Sequence, residues 1–270
     1  MKRMIALVAA VVMAAVFAAP AGAQDNSDVY VLHGIPGVTV DVYVNGDLTL
    51  EDFEPMDVAG PLSLPAGNYD IQIFAADADP AADDAVIDVS PAVPGGESVS
   101  VIAHLAEDGT PTLSAFVNDL SALDAGEGRV SIRHTAAAPA VDIVAGGAAV
   151  DGLTNIANGS EGVVVLPADD YPTGIAAAGT TDVLFDAPVT AAAGQNTIVY
   201  AVGDLAGGSF GLMAQVLDAE AGEPTGVPAG NSGLLAEDGS STNVVLVGGL
   251  LAAAALALGV PALRVARTRG

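Results

Sequence analysis

Four aspartates within eight residues form the densest set of potential metal ligands in the sequence. Asp77, Asp79, Asp83 and Asp84 lie in DADPAADD, a segment predicted to be a loop. Calcium prefers carboxylate oxygens, so the four residues are candidate Ca²⁺ ligands. Their spacing matches no calcium loop that we can name, and a chain with thirty-three acidic residues forms such clusters by chance. We therefore predict no required cofactor and keep calcium as an alternative.

A serine between glycines is the strongest match to a catalytic motif. GGSFG, at residues 207–211, has the G-x-S-x-G spacing of a nucleophile elbow. That motif needs a strand-to-helix turn and a histidine later in the chain. All three histidines, His33, His104 and His134, precede Ser209. The segment is therefore predicted to be a glycine-rich turn, and no catalytic residue is predicted.

Histidines and arginines occupy defined positions in predicted strands. His33 and His134 each end an alternating apolar strand, so both are predicted to be structural and hydrogen-bonded to the backbone. His104 has no counterpart and is expected to point outward. Arg129 and Arg133 lie on one face of a strand, where each is expected to pair with a carboxylate for at most about 1 kcal/mol.

The chain contains one pattern of strands and turns twice. The chain contains two pairs of similar segments. The first pair is VLHGIPGVTVDVYVNG (31–46) and IRHTAAAPAVDIVAGG (132–147), and the second is LPAGNY (64–69) and LPADDY (166–171). Alternating valines followed by Asn45-Gly46 predict a β-hairpin with a type I′ turn. Repeats of about a hundred residues built from short strands favour β-sandwiches.

The predicted fold is all-β, with two tandem immunoglobulin-like β-sandwich domains followed by one transmembrane helix. The domains are predicted over residues 28–119 and 129–218, with a short linker between them. Residues 219–243, rich in Gly, Pro and Ser, are predicted to be a flexible stalk. The chain has no cysteine, so each domain is expected to be stabilised by its own core.

Both repeats resemble a bacterial family, the domain of unknown function 4397, as tandem copies of which the second is divergent. The resemblance rests on the histidine, the Val-Asp-Val-Tyr-Val-Asn-Gly segment (40–46) and Leu-Pro-Ala-Gly-x-Tyr (64–69). The second repeat keeps His134, Val141-Asp142 and 166–171 but has Ala and Gly at usual aromatic positions. The resemblance implies extracellular β-sandwich modules, often in tandem, with no established activity.

Both ends of the chain carry targeting patterns. Residues 1–23 have the basic, apolar and small-residue order of a signal peptide. Val244 to Leu263 contains no charge and is long enough to span a bilayer, and the arginines within 264–270 predict a cytoplasmic tail. An alternative is cell-wall anchoring by a sortase, because LAEDG (235–239) resembles a sorting motif. Asp238, however, replaces the threonine at which a sortase cleaves.

The predicted exterior is strongly acidic. Five of the seven basic residues lie in the signal peptide and the tail, so thirty-three acids and two arginines leave a net charge of −31 outside the membrane. This charge repels phosphate backbones and excludes nucleic acid as a partner.

The sequence therefore predicts a non-enzymatic, single-pass cell-surface protein with extracellular repeats and an envelope or extracellular partner. Its modules would serve envelope structure, adhesion or ligand binding. A calcium-dependent adhesin and an extracellular hydrolase are the alternatives.

Overall fold

A computed structural model describes residues 25–220, which form twenty β-strands and contain no helix. The chain is therefore all-β over this range, as predicted. No helix in residues 25–220 is long and apolar enough to cross a membrane. The predicted signal peptide (1–23), membrane span (244–263) and tail (264–270) lie outside the described residues, as does most of the predicted stalk.

The first ten strands, which we call the first half, build two four-stranded sheets and one two-stranded ribbon. They are β1 (Asn26–His33), β2 (Val40–Val44), β3 (Asp47–Phe53), β4 (Val58–Pro65), β5 (Gly67–Asn68), β6 (Ile71–Ala75), β7 (Ile87–Val89), β8 (Ala92–Val93), β9 (Ser98–Leu105) and β10 (Pro111–Val117). The sheets have the orders β10-β9-β1-β4 and β3-β2-β6-β7, and β5 pairs with β8. Only the β1–β9 pairing is parallel.

The next ten strands, the second half, repeat this order. They are β11 (Glu127–His134), β12 (Val141–Ala145), β13 (Ala148–Ala149), β14 (Ser160–Pro167), β15 (Asp169–Tyr171), β16 (Thr173–Ala177), β17 (Val183–Asp186), β18 (Val189–Ala191), β19 (Gln195–Val202) and β20 (Gly211–Asp218). Their sheets run β14-β11-β19-β20, β13-β12-β16-β17 and β15-β18. Adding ten to each strand number therefore converts the first arrangement into the second.

The predicted hairpin at the start of the chain is confirmed. Val40 and Val42 are buried, whereas Asp41 between them is partly exposed, so the alternation places one row in the core. Asn45 and Gly46 both have positive φ, at 53° and 84°, as a type I′ turn requires. The turn joins β2 to its antiparallel neighbour β3.

The repeated Leu-Pro-Ala-x-x-Tyr segment forms the same corner in both halves. The Tyr69 hydroxyl donates a hydrogen bond to the Pro65 carbonyl at 2.8 Å, and the Tyr171 hydroxyl donates to the Pro167 carbonyl at 2.8 Å. Each tyrosine also packs against the core of its own half. A tyrosine hydroxyl bonded to the backbone a few residues upstream is a recurring feature of sandwich corners.

The two halves share a third apolar cluster besides their own cores. Tyr30, Leu32, Ile102 and Phe116 of the first half pack with Ile198, Tyr200, Val202, Met213 and Leu217 of the second. The sheets β10-β9-β1-β4 and β14-β11-β19-β20 therefore contact each other through the faces that point away from their own cores. All twenty strands belong to one compact unit.

Candidate functional site: the interface between the two halves

Arg133 lies at the centre of the interface between the halves. Its side chain is only 1% exposed, although arginine is seldom buried unless its charge is paired. Its Nη1 donates to Asn118 Oδ1 at 2.9 Å and to the Tyr200 hydroxyl at 2.7 Å, and its Nε lies 3.0 Å from Glu161 Oε2. The guanidinium also lies 4.6 Å from the centre of the Phe116 ring. One side chain thus joins both halves by charge, hydrogen bonds and a cation–π contact.

Neutral polar groups extend this network across the interface. The Tyr200 hydroxyl donates to Gln215 Oε1 at 2.9 Å, and the Ser100 hydroxyl lies 2.9 Å from the same oxygen. Ser100 also lies 3.1 Å from Asn118 Oδ1. Burial raises the pKa of the Tyr200 phenol, with Arg133 opposing that effect. The phenol is therefore neutral near pH 7 and acts as both acceptor and donor in the chain of bonds.

The connection between the halves is attached to the second half by Arg129. Arg129 Nη1 donates to the Asp119 carbonyl at 2.8 Å, and Nε lies 3.2 Å from the Asp119 carboxylate. Asn196 Nδ2 donates to the same carbonyl at 3.1 Å. Arg129 and Arg133 both pair with carboxylates, as predicted. Both are buried, however, so the limit of about 1 kcal/mol expected for surface pairs does not apply.

His33 and His134 are structural, which confirms their predicted role. His33 Nε2 donates to the Val38 carbonyl at 2.7 Å, and His134 Nε2 lies 3.0 Å from the Pro139 carbonyl. Burial lowers the pKa of both rings, so they are neutral near pH 7. Nδ1 of each ring has no hydrogen-bond partner among the described residues. Because Nε2 carries the proton, that Nδ1 is a lone pair, which costs less to bury than an unpaired N–H.

The prediction that His104 points outward is wrong, because the second half covers this face of β9. His104 is fully buried, and burial lowers the pKa of its ring. Its Nδ1 donates to the Leu105 carbonyl at 3.0 Å, so its Nε2 accepts a hydrogen bond from the Ser114 hydroxyl at 2.8 Å. A serine donating to a neutral histidine is the arrangement that activates a nucleophile. Ser114 was not identified from the sequence, since no motif surrounds it.

The loop before β14 closes over this pair. Asn158 Nδ2 donates to the Leu105 carbonyl at 2.9 Å and to the Ala136 carbonyl at 2.7 Å, one acceptor from each half. A Cβ added at Gly159 would lie 3.6 Å from the Ser114 hydroxyl oxygen. The loop thus packs directly on the serine, and its asparagine joins the two halves.

The four candidate calcium ligands occupy a turn after β6. Asp83 Oδ2 accepts a hydrogen bond from the Asp79 amide at 2.8 Å, and Asp79 Oδ1 accepts one from the Ala81 amide at 3.0 Å. Two of the carboxylates therefore stabilise the turn itself. Across residues 25–220, no group of three or more histidines and acids is arranged to hold a metal ion, so Asp77 and Asp84 do not complete a cluster with them.

Ser209 lies in the turn between β19 and β20, as predicted. Its hydroxyl accepts a hydrogen bond from the Asp204 amide at 3.1 Å, and its own amide donates to the Asp204 carbonyl at 2.9 Å. The serine side chain therefore helps to hold a turn.

These features define an all-β protein whose two halves have the same strand order and pack face to face around buried polar groups. Residues 27–144 match the model of a family described as a domain of unknown function (DUF4397). The match covers the first half and continues into β12, which confirms the resemblance of the first repeat, whereas membership of the second repeat stays a prediction. A comparison with curated proteins found no match.

Proposed function

We propose that the protein is a non-enzymatic cell-surface protein that displays two tandem immunoglobulin-like β-sandwiches as one rigid body. The body would bind an envelope or extracellular partner. The predicted signal peptide, the membrane span at Val244 to Leu263 and the cytoplasmic tail would hold it outside the cell. Anchoring to the cell wall is the alternative attachment. The equal strand orders and the matching tyrosine corners support two copies of one sandwich.

Hydrogen bonds between the two halves support the proposal that they form one rigid body. Arg133, Asn158 and Ser100 form hydrogen bonds between the halves, to Asn118, the Leu105 carbonyl and Gln215, instead of lining an open cleft. Rotation of one half against the other would break these bonds and leave buried polar groups unpaired, which costs about 1–3 kcal/mol for each group. Such a body presents its outer edges in fixed positions.

The observation that carries the proposal is the apolar edge strand β17. Val183, Leu184 and Phe185 are 46%, 62% and 39% exposed, although β17 is the outer strand of its sheet. Natural edge strands are usually protected by charges or a covering segment, because their free backbone groups can pair with another strand. An exposed apolar edge is therefore suited to binding an extended segment of a partner. The acidic exterior favours a partner that is basic around that segment.

Photo-crosslinking on intact cells tests this proposal. A photoreactive amino acid would replace Leu184 in β17, or Leu48 in β3 as the matched control. Leu48 is 45% exposed and lies in β3, an outer strand of the corresponding sheet in the first half, at the edge opposite to the counterpart of β17. We expect a defined crosslinked species from position 184 only. Equal crosslinking from both positions, or none from 184, would contradict a binding role for β17.

Protease treatment of intact cells tests the location. Cleavage within residues 219–243 should release a fragment that contains both halves. Release only after digestion of the cell wall would favour sortase anchoring. Protection of the fragment in intact cells, with cleavage only after lysis, would contradict surface exposure.

The hydrolase alternative has one specific observation in its favour, the Ser114–His104 hydrogen bond. We do not favour this alternative because His104 is fully buried and Gly159 packs beside Ser114. A fluorophosphonate reagent should therefore leave Ser114 unmodified in the folded protein. Labelling of wild type that is lost in His104→Gln would support the hydrolase instead.

A further inference from the structure

The two halves contain apolar cavities of different size at equivalent places in their cores. The cavity in the first half has a volume of about 50 Å³, and that in the second half about 180 Å³. Val42, Leu64 and Tyr69 line the first, and their counterparts Ile143, Leu166 and Tyr171 line the second. The two linings also differ in part, since Phe53 of β3 and Leu113 of β10 line only the first cavity, whereas Val150 and Leu153 line the second.

Two substitutions between the halves enlarge the second cavity. Val44 pairs with Ile71 across β2 and β6, and both side chains line the first cavity. The corresponding pair across β12 and β16 is Ala145 with Thr173, and both line the second cavity. Each replacement provides fewer apolar side-chain atoms at the same sheet position. The smaller pair therefore contributes to the larger volume of the second cavity.

The lining of the second cavity offers no free hydroxyl. Thr173 Oγ1 donates a hydrogen bond to the Ala187 carbonyl, and the Tyr171 hydroxyl donates to the Pro167 carbonyl. All other lining side chains are aliphatic, including Ile143, Leu153 and Val189. A water molecule needs two to four polar partners to occupy such a space stably, so this cavity favours an apolar occupant.

We propose that the second half binds a small apolar molecule in this cavity, of the size of a benzene ring or a short branched alkyl group. Cavities of about 150 Å³ with aliphatic and aromatic linings stay dry and bind benzene. The 180 Å³ cavity meets that requirement, whereas the 50 Å³ cavity of the first half does not. The site is distinct from β17 and does not depend on the role proposed for that strand.

Methyl NMR of the full chain in lipid nanodiscs tests the site with benzene as the ligand. The methyl groups of Ile143 and Leu153 report on the second cavity, and that of Ile73 reports on the first, because each lines the corresponding cavity. We expect saturable shifts at Ile143 and Leu153 and none at Ile73. Equal shifts at all three, or no saturable shift at Ile143, would overturn the proposal.

Reciprocal exchange of the residue pairs provides matched variants. Ala145→Val with Thr173→Ile gives the second half the side chains of the first, and we expect the benzene shift at Ile143 to be lost. Val44→Ala with Ile71→Thr makes the opposite change, and we expect a new saturable shift in the first half. Retention of the Ile143 shift in the Ala145→Val, Thr173→Ile variant would show that benzene binds elsewhere. If the Ala145→Val, Thr173→Ile variant does not fold, the titrations of wild type and of the Val44→Ala, Ile71→Thr variant still decide the question.

Discussion

Arg133→Ala should be the most destabilising single substitution at the interface between the halves. It removes three charge-assisted hydrogen bonds, of which those to Asn118 and Tyr200 are buried and each worth about 1.5–3 kcal/mol, whereas that to Glu161 is partly screened by solvent. It also removes the contact with the Phe116 ring, worth about 0.5–2 kcal/mol. Such contributions do not add fully, and loss of one partner from a buried ionic network typically costs about 3–5 kcal/mol. We expect a loss of about 4 kcal/mol in the free energy of unfolding.

Glu161→Gln is the matched control for this prediction. The Glu161 side chain is 33% exposed, so solvent screens its attraction to Arg133, and glutamine still offers an acceptor oxygen. We expect it to cost at most about 1 kcal/mol. Urea unfolding of the full chain, followed by far-UV circular dichroism, measures both values. A loss below about 1.5 kcal/mol for Arg133→Ala, or equal losses for the two variants, would refute the network as the main polar contact between the halves.

Three further predictions concern pH, calcium and the loop at Asn158. Burial lowers the pKa of His134 from its ordinary 6.5, so the unfolded chain takes up a proton first as the pH falls. The free energy of unfolding should therefore fall more from about pH 7.5 to 5.5 in wild type than in His134→Asn, and equal pH slopes would contradict this. The melting temperature should rise with sodium chloride, because salt screens repulsion among the acidic residues, and calcium chloride at matched ionic strength should add nothing. A calcium-specific rise of several degrees, absent with magnesium and lost in Asp79→Ala with Asp83→Ala, would establish the calcium alternative. Asn158→Ala should lower the free energy of unfolding by about 1–3 kcal/mol, because its amide makes two hydrogen bonds worth about 0.5–1.5 kcal/mol each. Ser160→Ala, in an exposed residue two positions later, should be neutral, and equal effects of the two variants in urea titrations would disprove the role of the amide.

The strands and tight turns were predictable because their determinants are local. Alternation of Val40 and Val42 with polar residues defines one buried face, and Asn45-Gly46 supplies two residues that tolerate positive φ. The structural role of His33 and His134 was also predictable, since each ends an inward-facing row. These features depend on residues close together in the chain.

The interface between the halves was not predicted, because it depends on contacts between residues far apart. His104 was expected to point outward, whereas Ser100, Ile102 and His104 of this face of β9 are all buried. One signal was present, however. Strand β9 contains the uninterrupted apolar run Val101-Ile102-Ala103, and it is buried on both faces. A strand that is buried on both faces reads as a nearly continuous apolar run, and SVSVIAHL approaches one.

The positions of Arg133 and Ser114 had weaker signals. An arginine in a strand is usually exposed, and only the scarcity of basic residues between the predicted signal peptide and the predicted tail made Arg133 conspicuous. Ser114 lies in an ordinary strand, and its contact with His104 depends on the β9–β10 register. The cavity in the second half could be recognised only from the strand pairings, which show that Ala145 and Thr173 occupy the positions of Val44 and Ile71.

Native-state hydrogen exchange of the full chain tests most directly the claim that the two halves form one rigid body. The amides of Ile102 in β9 and Tyr200 in β19 lie on opposite sides of the shared cluster. If the halves unfold as one unit, both amides should exchange with the same opening free energy and the same dependence on urea. Arg133→Ala should lower both values together. A distinctly lower opening free energy at one of the two amides, with the other still fully protected, would show that the halves unfold independently and would contradict the account.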